Sequence, residues 1–204
     1  MQKNVEKILL GIDPGSRITG YGLIGWQHPQ ARYIACGVIR TQGELVDRLG
    51  QIYAGLEEVI ARYRPDQVAI EDVFLAKNPD SAIKLGQARG AALVCVARHG
   101  LALTAYGARE VKYHVVGQGS ADKKQVQQMV TRLLKLEQVP RVDAADALAI
   151  ALCDAYHQQG SLLLARESKQ TRPLNSPNTQ PMPKKPQAGS ARQAWATWYQ
   201  QKET

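Results

Sequence analysis

Apolar residues follow two rhythms along this chain, and the changes between them predict the elements. Ile8–Ile12 is a continuous apolar run, as in a central strand covered on both faces. It ends in Asp13-Pro14-Gly15-Ser16, residues that build turns. Tyr21–Trp26 and Tyr33–Arg40 read as two further strands, with His28-Pro29-Gln30 in the connection. The period then changes. Leu45, Leu49, Ile52, Leu56, Val59 and Ile60 fall on one stripe of a helix over 44–63. Pro65 bars its continuation, and Gln67–Ile70 is again a buried strand. A helix over about 79–99 and a strand over about 101–106 follow. Residues 120–137 form an amphipathic helix with Val126, Met129, Val130 and Leu133 inside, and a last helix runs from near Asp143 to about Tyr156. Three antiparallel strands followed by alternating helices and strands predict an α/β fold: a five-stranded mixed sheet flanked by helices on both faces.

Composition breaks near residue 160. Beyond it Pro173, Pro177, Pro181, Pro183 and Pro186 stand among Gln, Ser, Asn and Lys, without apolar periodicity. The expected division is a folded domain over 1–160 and a basic, Pro/Gln-rich flexible tail over 161–204. Trp195, Trp198 and Tyr199 fit either a short docking helix or stray aromatics in that tail, and the second is the simpler reading. The net charge of +8 is unevenly spread, with 7 Lys/Arg against 2 Asp/Glu in 161–204. A basic balance suits a polyanion such as nucleic acid. No apolar run approaches the roughly 18 residues of a membrane span. Three scattered cysteines (Cys36, Cys95, Cys153) make neither a disulfide framework nor a zinc site. Secreted, membrane and zinc-finger classes are therefore not expected, and a cytoplasmic protein is.

Four carboxylates stand out by position. Asp13 ends the first buried strand and Glu71 ends the Gln67–Ile70 strand. Asp143 and Asp146, three apart, face one side of the last helix. If the two strands are neighbours, Asp13 and Glu71 emerge together, and a helix crossing above them adds the other pair. Carboxylates so packed repel unless a cation sits among them. Two divalent ions would resolve the repulsion and set up phosphoryl chemistry, and oxygen-only ligands favour Mg²⁺, with Mn²⁺ a substitute, over zinc. Taken singly, each residue has a plainer explanation: turn former, N-cap or dipole partner.

Gly11-Ile-Asp-Pro-Gly-Ser-Arg-Ile-Thr-Gly-Tyr-Gly22 resembles the opening of the RuvC family of Holliday-junction resolvases. So do Ala69-Ile-Glu-Asp-Val-Phe74, Ala76-Lys-Asn-Pro-Asp-Ser-Ala82, Lys84-Leu-Gly-Gln-Ala-Arg-Gly90, Val115-Val-Gly-Gln-Gly-Ser120 and Asp143-Ala-Ala-Asp-Ala-Leu-Ala-Ile150. These segments occur in order between about 8 and 157, and the element order is compatible with a ribonuclease-H-like fold. The resemblance implies a Mg²⁺-dependent endonuclease with two ions per site. It would nick four-way DNA junctions symmetrically in recombination and repair, as a homodimer loaded by the RuvA–RuvB branch-migration machinery. The family's acidic tetrad falls on Asp13, Glu71, Asp143 and Asp146, the four that position alone selected. By the same resemblance Phe74, the only phenylalanine, stacks on an unpaired base, and Lys112 and Lys123 lie near the scissile phosphate. Arg89 and Lys84 are further DNA-contact candidates.

The helix carrying Gly86 and Gly90 has a small-residue face that could pack on this chain's own sheet, whereas the family suggests a dimer interface there. Asp72 departs from the family pattern as a fifth carboxylate, and strand alternation predicts that it points away from the metals. Three rivals remain on these grounds. An actin-like ATPase shares the Asp13-Pro14-Gly15 opening but needs a second lobe. A non-catalytic DNA-binding module would not need all four acids. A general nuclease on the same fold differs only in its DNA-facing surface.

Overall fold

Alternation along the first strand sets the whole architecture. In β1 (Lys7–Asp13) Leu10 and Ile12 point to one face of the sheet, while Leu9, Gly11 and Asp13 point to the other. β2 (Ile18–Gln27) pairs antiparallel with β1, and β3 (Gln30–Arg40) antiparallel with β2, with a bulge where the register shifts between Leu23 and Ile24. After α1 (Leu45–Tyr63), β4 (Gln67–Glu71) returns parallel to β1, and after α2 (Pro79–Arg98), β5 (Ala102–Tyr106) lies parallel to β4. Three helices follow among the described residues: α3 (Ala108–Val116), α4 (Lys123–Leu133) and α5 (Val142–Gln170). The sheet order β3-β2-β1-β4-β5 is mixed, five-stranded and covered on both faces, as the hydrophobic pattern predicts. This computed structural model describes residues 5–72 and 79–170, with 159–170 described by backbone alone. Phe74 and the tail aromatics Trp195, Trp198 and Tyr199 lie outside the described residues. Among the described residues no helix is long and apolar enough to cross a membrane.

Each face of the sheet has its own core. Leu10, Ile12, Leu23, Val68 and Ile70 pack with α1 and α2 through Ile52, Leu56, Ala88, Ala92 and Cys95. Leu9, Ile24, Trp26 and Ala69 pack with α3, α4 and α5 through Val111, Val126, Val130, Leu148 and Leu152. α5 lies almost directly on β1 and β2. A Cβ on Gly11 would overlap the Ala147 carbonyl, and one on Gly22 would meet the Leu148 backbone at 2.6 Å. Glycine is thus what lets the backbone of α5 approach the sheet.

Three expectations change in detail. α3 has no counterpart in the sequence reading. Its two buried positions, Val111 and Val115, make too short a stripe between Gly107 and Gly117 to announce a helix. α4 starts later than expected because Asp122 caps it: the Asp122 carboxylate accepts from the Gln125 N–H and the Gln125 side chain accepts from the Asp122 N–H. α5 runs past Tyr156 to Gln170.

Candidate active site

β1 and β4 are adjacent and parallel, so their C-terminal ends deliver Asp13 and Glu71 to the same edge of the sheet. Both side chains face the layer formed by α3, α4 and α5. α5 brings Asp146 over them, and α3 and α4 bring Lys112 and Lys123. These five side chains line one cavity of about 190 Å³, floored by Val111, Val126, Ala149 and Ile150. Asp143, one turn before Asp146, does not line the cavity but raises the Asp146 carboxyl electrostatically and acts on the Lys123 ammonium.

The electrostatics are those of too many acids in too little water. Burial first, then the charges of Glu71 and Asp146, push the Asp13 carboxyl up to about 8. Protonated, it hydrogen-bonds to Glu71, and accepting that bond moderates the rise that burial causes in Glu71. Burial also raises Asp146, opposed by Lys123, whose Nζ donates to Asp146 Oδ2 at 3.3 Å. Lys123 is itself held above its ordinary value by Asp146, against the lowering effect of its own desolvation. Lys112 lowers both Glu71 and Asp146 from across the cavity.

Among the described residues no three His, Cys, Asp or Glu side chains converge closely enough to hold a cation as they stand. The reason is visible in the pairing: Asp13 and Glu71 close on each other, and Lys123 takes up Asp146. The donor set nonetheless fits a hard divalent cation. It consists of carboxylate oxygens alone, desolvated and mutually repelling, beside an ammonium whose charge a cation would replace.

The other sequence candidates separate cleanly. Asp72 points to the opposite face of the sheet from Glu71, as strand alternation predicts. There its Oδ1 meets Nη2 of Arg89 on α2 at 3.1 Å. Arg89 therefore has an intramolecular carboxylate partner, and Lys84 is an exposed residue of α2; neither lines the cavity. The small-residue face of α2 also resolves: Ala88 and Ala92 pack on the sheet, while an added Cβ on Gly86 or Gly90 would meet nothing within 4 Å. One polar cluster escaped sequence reasoning. Asp154, inside the apolar run of α5, is fully buried and accepts hydrogen bonds from Tyr106, Gln67 and Gln158. A lone carboxylate in an otherwise apolar stretch is the signal that could have found it.

Comparison with known proteins converges on one family. Residues 9–154 match the family model described as crossover junction endodeoxyribonuclease RuvC. The RuvC crossover junction endodeoxyribonuclease of Tolumonas auensis is 58% identical over 159 residues, covering 78% of this chain and 92% of that protein. The structure of T. thermophilus RuvC in complex with Holliday junction substrate superposes with a TM-score of 0.71 at 37% identity, covering 76% of this chain and 97% of that one. The yeast mitochondrial Holliday junction resolvase, at 12% identity and a TM-score of 0.60 over 79% of this chain and 85% of its own, shares the fold. The ribonuclease-H-like expectation holds.

Proposed function

Because this chain belongs to the RuvC family of crossover junction endodeoxyribonucleases, we propose that it resolves four-way DNA junctions by metal-dependent phosphodiester hydrolysis. One observation carries the reading: three desolvated carboxylates from β1, β4 and α5 meet in one cavity beside two lysines. Asp13, Glu71 and Asp146 would hold divalent cations, with Asp143 at the rim, and an oxygen-only set suits Mg²⁺ or Mn²⁺. Cations held by these residues would supply a water nucleophile at neutral pH and charge to offset the leaving oxygen. The protein's own groups do the rest. Lys112 and Lys123 attract the scissile phosphate and offset its developing charge. The apolar floor of Val111, Val126, Ala149 and Ile150 keeps water from screening those charges.

Paired nicking needs two such sites. On α2, Ile83 and Val94 are 60% and 56% exposed, and with Gly86 and Gly90 between them they form an apolar stripe with room for a second backbone. A two-fold dimer through this stripe would present two cavities to a pseudo-two-fold junction. Phe74 would then act as the stacking aromatic, worth roughly 1–3 kcal/mol per base. Work on chromosomal DNA in the cytoplasm, after loading by a RuvA–RuvB complex, completes the reading.

The test is nicking of a mobile four-way junction against a duplex of matching sequence, with Mg²⁺, with Ca²⁺, and with Glu71→Gln. Symmetric, Mg²⁺-dependent nicks confined to the junction are expected. Equal cutting of the duplex would make the protein a general nuclease on a shared fold. Binding without cutting in any metal would leave a junction-recognition protein.

A further inference from the structure

Asp154 lies on α5 just over two turns beyond Asp146 and is completely buried. Burying a carboxylate is costly unless donors surround it, and here they do. Tyr106 Oη donates to Oδ1 at 2.8 Å and Gln67 Nε2 to the same oxygen at 3.1 Å, while Gln158 Nε2 donates to Oδ2 at 2.9 Å. Two of these donors belong to the strands that frame the candidate active site. Gln67 opens β4, the strand that ends at Glu71. Tyr106 closes β5 and is the ladder partner of Glu71, and its carbonyl accepts the Asp72 N–H at 2.8 Å. One residue thus touches α5 through its hydroxyl and the Glu71 strand end through its backbone. The Tyr106 ring also meets the edge of His157, whose ring meets His114 on α3, two residues from Lys112.

Elsewhere among the described residues α5 meets the sheet through apolar contacts: the close backbone approach at Gly11 and Gly22, and Leu148, Leu152 and Tyr156 beside Leu9, Ile24 and Trp26. Those contacts fix how near the helix lies to β1 and β2, but hydrophobic burial is non-directional and carries no preferred bond angle along β4. Glu71 stands on β4, the next strand along. Hydrogen bonds from β4 and β5 to Asp154 add a directional restraint toward those strands. We propose that Asp154, through Tyr106 and Gln67, is a positioning residue that sets the separation of Asp146 from Glu71 and so the strength with which these carboxylates hold a divalent cation. This rests on the reading of the cavity as a cation site.

The test uses the full chain and Mn²⁺ alone, with free Mn²⁺ followed by electron paramagnetic resonance. Thermal midpoints of all variants are measured alongside. Asp154→Leu removes the acceptor and adds apolar bulk, Tyr106→Phe removes only the hydroxyl, and Asp154→Asn is isosteric and keeps an amide oxygen in place. Ile52→Val, in the core on the other face, is the control for lost stability alone. Half-saturating Mn²⁺ is expected to rise roughly tenfold for Asp154→Leu and Tyr106→Phe, to return to within about twofold of wild type for Asp154→Asn, and to stay unchanged for Ile52→Val. Should Asp154→Leu fail to fold, Tyr106→Phe carries the test. Lower midpoints with unchanged Mn²⁺ binding in Asp154→Leu and Tyr106→Phe would overturn the proposal and leave Asp154 a purely structural residue. Loss of Mn²⁺ binding in Glu71→Gln keeps the cation-site reading intact in that event. If Glu71→Gln binds Mn²⁺ like wild type, the cation-site reading itself falls, and this inference with it.

Discussion

Asp146 and Asp154 share a helix, face the same side of the sheet, and are both pushed up by burial. Their surroundings differ in kind. Asp154 meets only donors, one phenol and two amides, so its charge is answered within the fold. Asp146 faces the charges of Asp143, Asp13 and Glu71, answered by Lys112 and by Lys123, which among the described residues is the one side chain hydrogen-bonded to it. The first arrangement is complete as it stands. In the second, burial and neighbouring acids raise Asp13 and two lysines answer Asp146, an arrangement that a bound divalent cation would relieve. Two acids of one helix thus differ by their partners, not by residue type: one is surrounded by donors and the other by further acids, which is the setting expected of a reacting centre.

The widest separation between the two regions is expected in catalysis. Glu71→Gln keeps the shape of the side chain but removes a charge that bound cations would need, and junction nicking should fall by roughly 10³-fold or more, about 4 kcal/mol. Junction binding by gel shift should survive largely intact. Asp154→Asn should nick within about tenfold of wild type, since its oxygen still accepts from Tyr106. Equal loss of binding and nicking in Glu71→Gln would remove the catalytic assignment.

Lys123 sharpens the same contrast from the cationic side. Lys123→Met removes the ammonium that answers Asp146 while keeping a stem of similar length. Single-turnover nicking at saturating Mg²⁺ should slow by about 10²-fold. Stability should change by less than about 1 kcal/mol, because the Lys123 side chain is 69% exposed and the pair is largely screened. A thermal melt beside the rate measurement separates the two effects.

Stability against pH reads the frustration directly. In metal-free protein the folded Asp13 carboxyl titrates at about 8, above its ordinary value of 3.8. The folded state therefore holds this proton more tightly than the unfolded chain. Its stabilisation is fully present below pH 3.8 and is lost as pH rises through about 8. Asp13→Asn cannot ionise, so in chelator its midpoint should exceed that of wild type by a margin that widens from pH 5 to pH 9, reaching about 1–3 kcal/mol. Added Mg²⁺ should stabilise wild type and close the gap. A gap independent of pH would mean that Asp13 is not the buried acid described.

How much of this was legible in the sequence follows from how local each feature is. The strand meander, α1 and α2 announce themselves through period and breakers, and Asp13, Glu71 and the Asp143/Asp146 pair through their places at element ends. α3 did not, because its two buried valines are a pattern shared with many loops. The Asp154 cluster joins residues 48 and 87 positions apart in the chain, and no local rhythm records such a pairing. The opposing faces of Glu71 and Asp72 were readable from strand alternation, but the partner of Asp72 was not, since Arg89 comes from a separate helix.

That last pair yields the smallest expected effect and the finest division between regions. Glu71 and Asp72 are chain neighbours, yet one enters the cavity and the other meets Arg89 on the opposite face. The Asp72 side chain is 45% exposed, so its ion pair is partly screened, although the guanidinium it meets is only 23% exposed. Asp72→Asn should therefore cost about 1 kcal/mol or less in a urea melt. Nicking rate and half-saturating Mg²⁺ should both stay within about twofold of wild type, because the removed charge lies across the sheet from the cavity and a full layer of backbone separates them. A clear shift in the Mg²⁺ dependence would place Asp72 inside the field of the site. The boundary between the two faces, drawn here between residues 71 and 72, would then have to move.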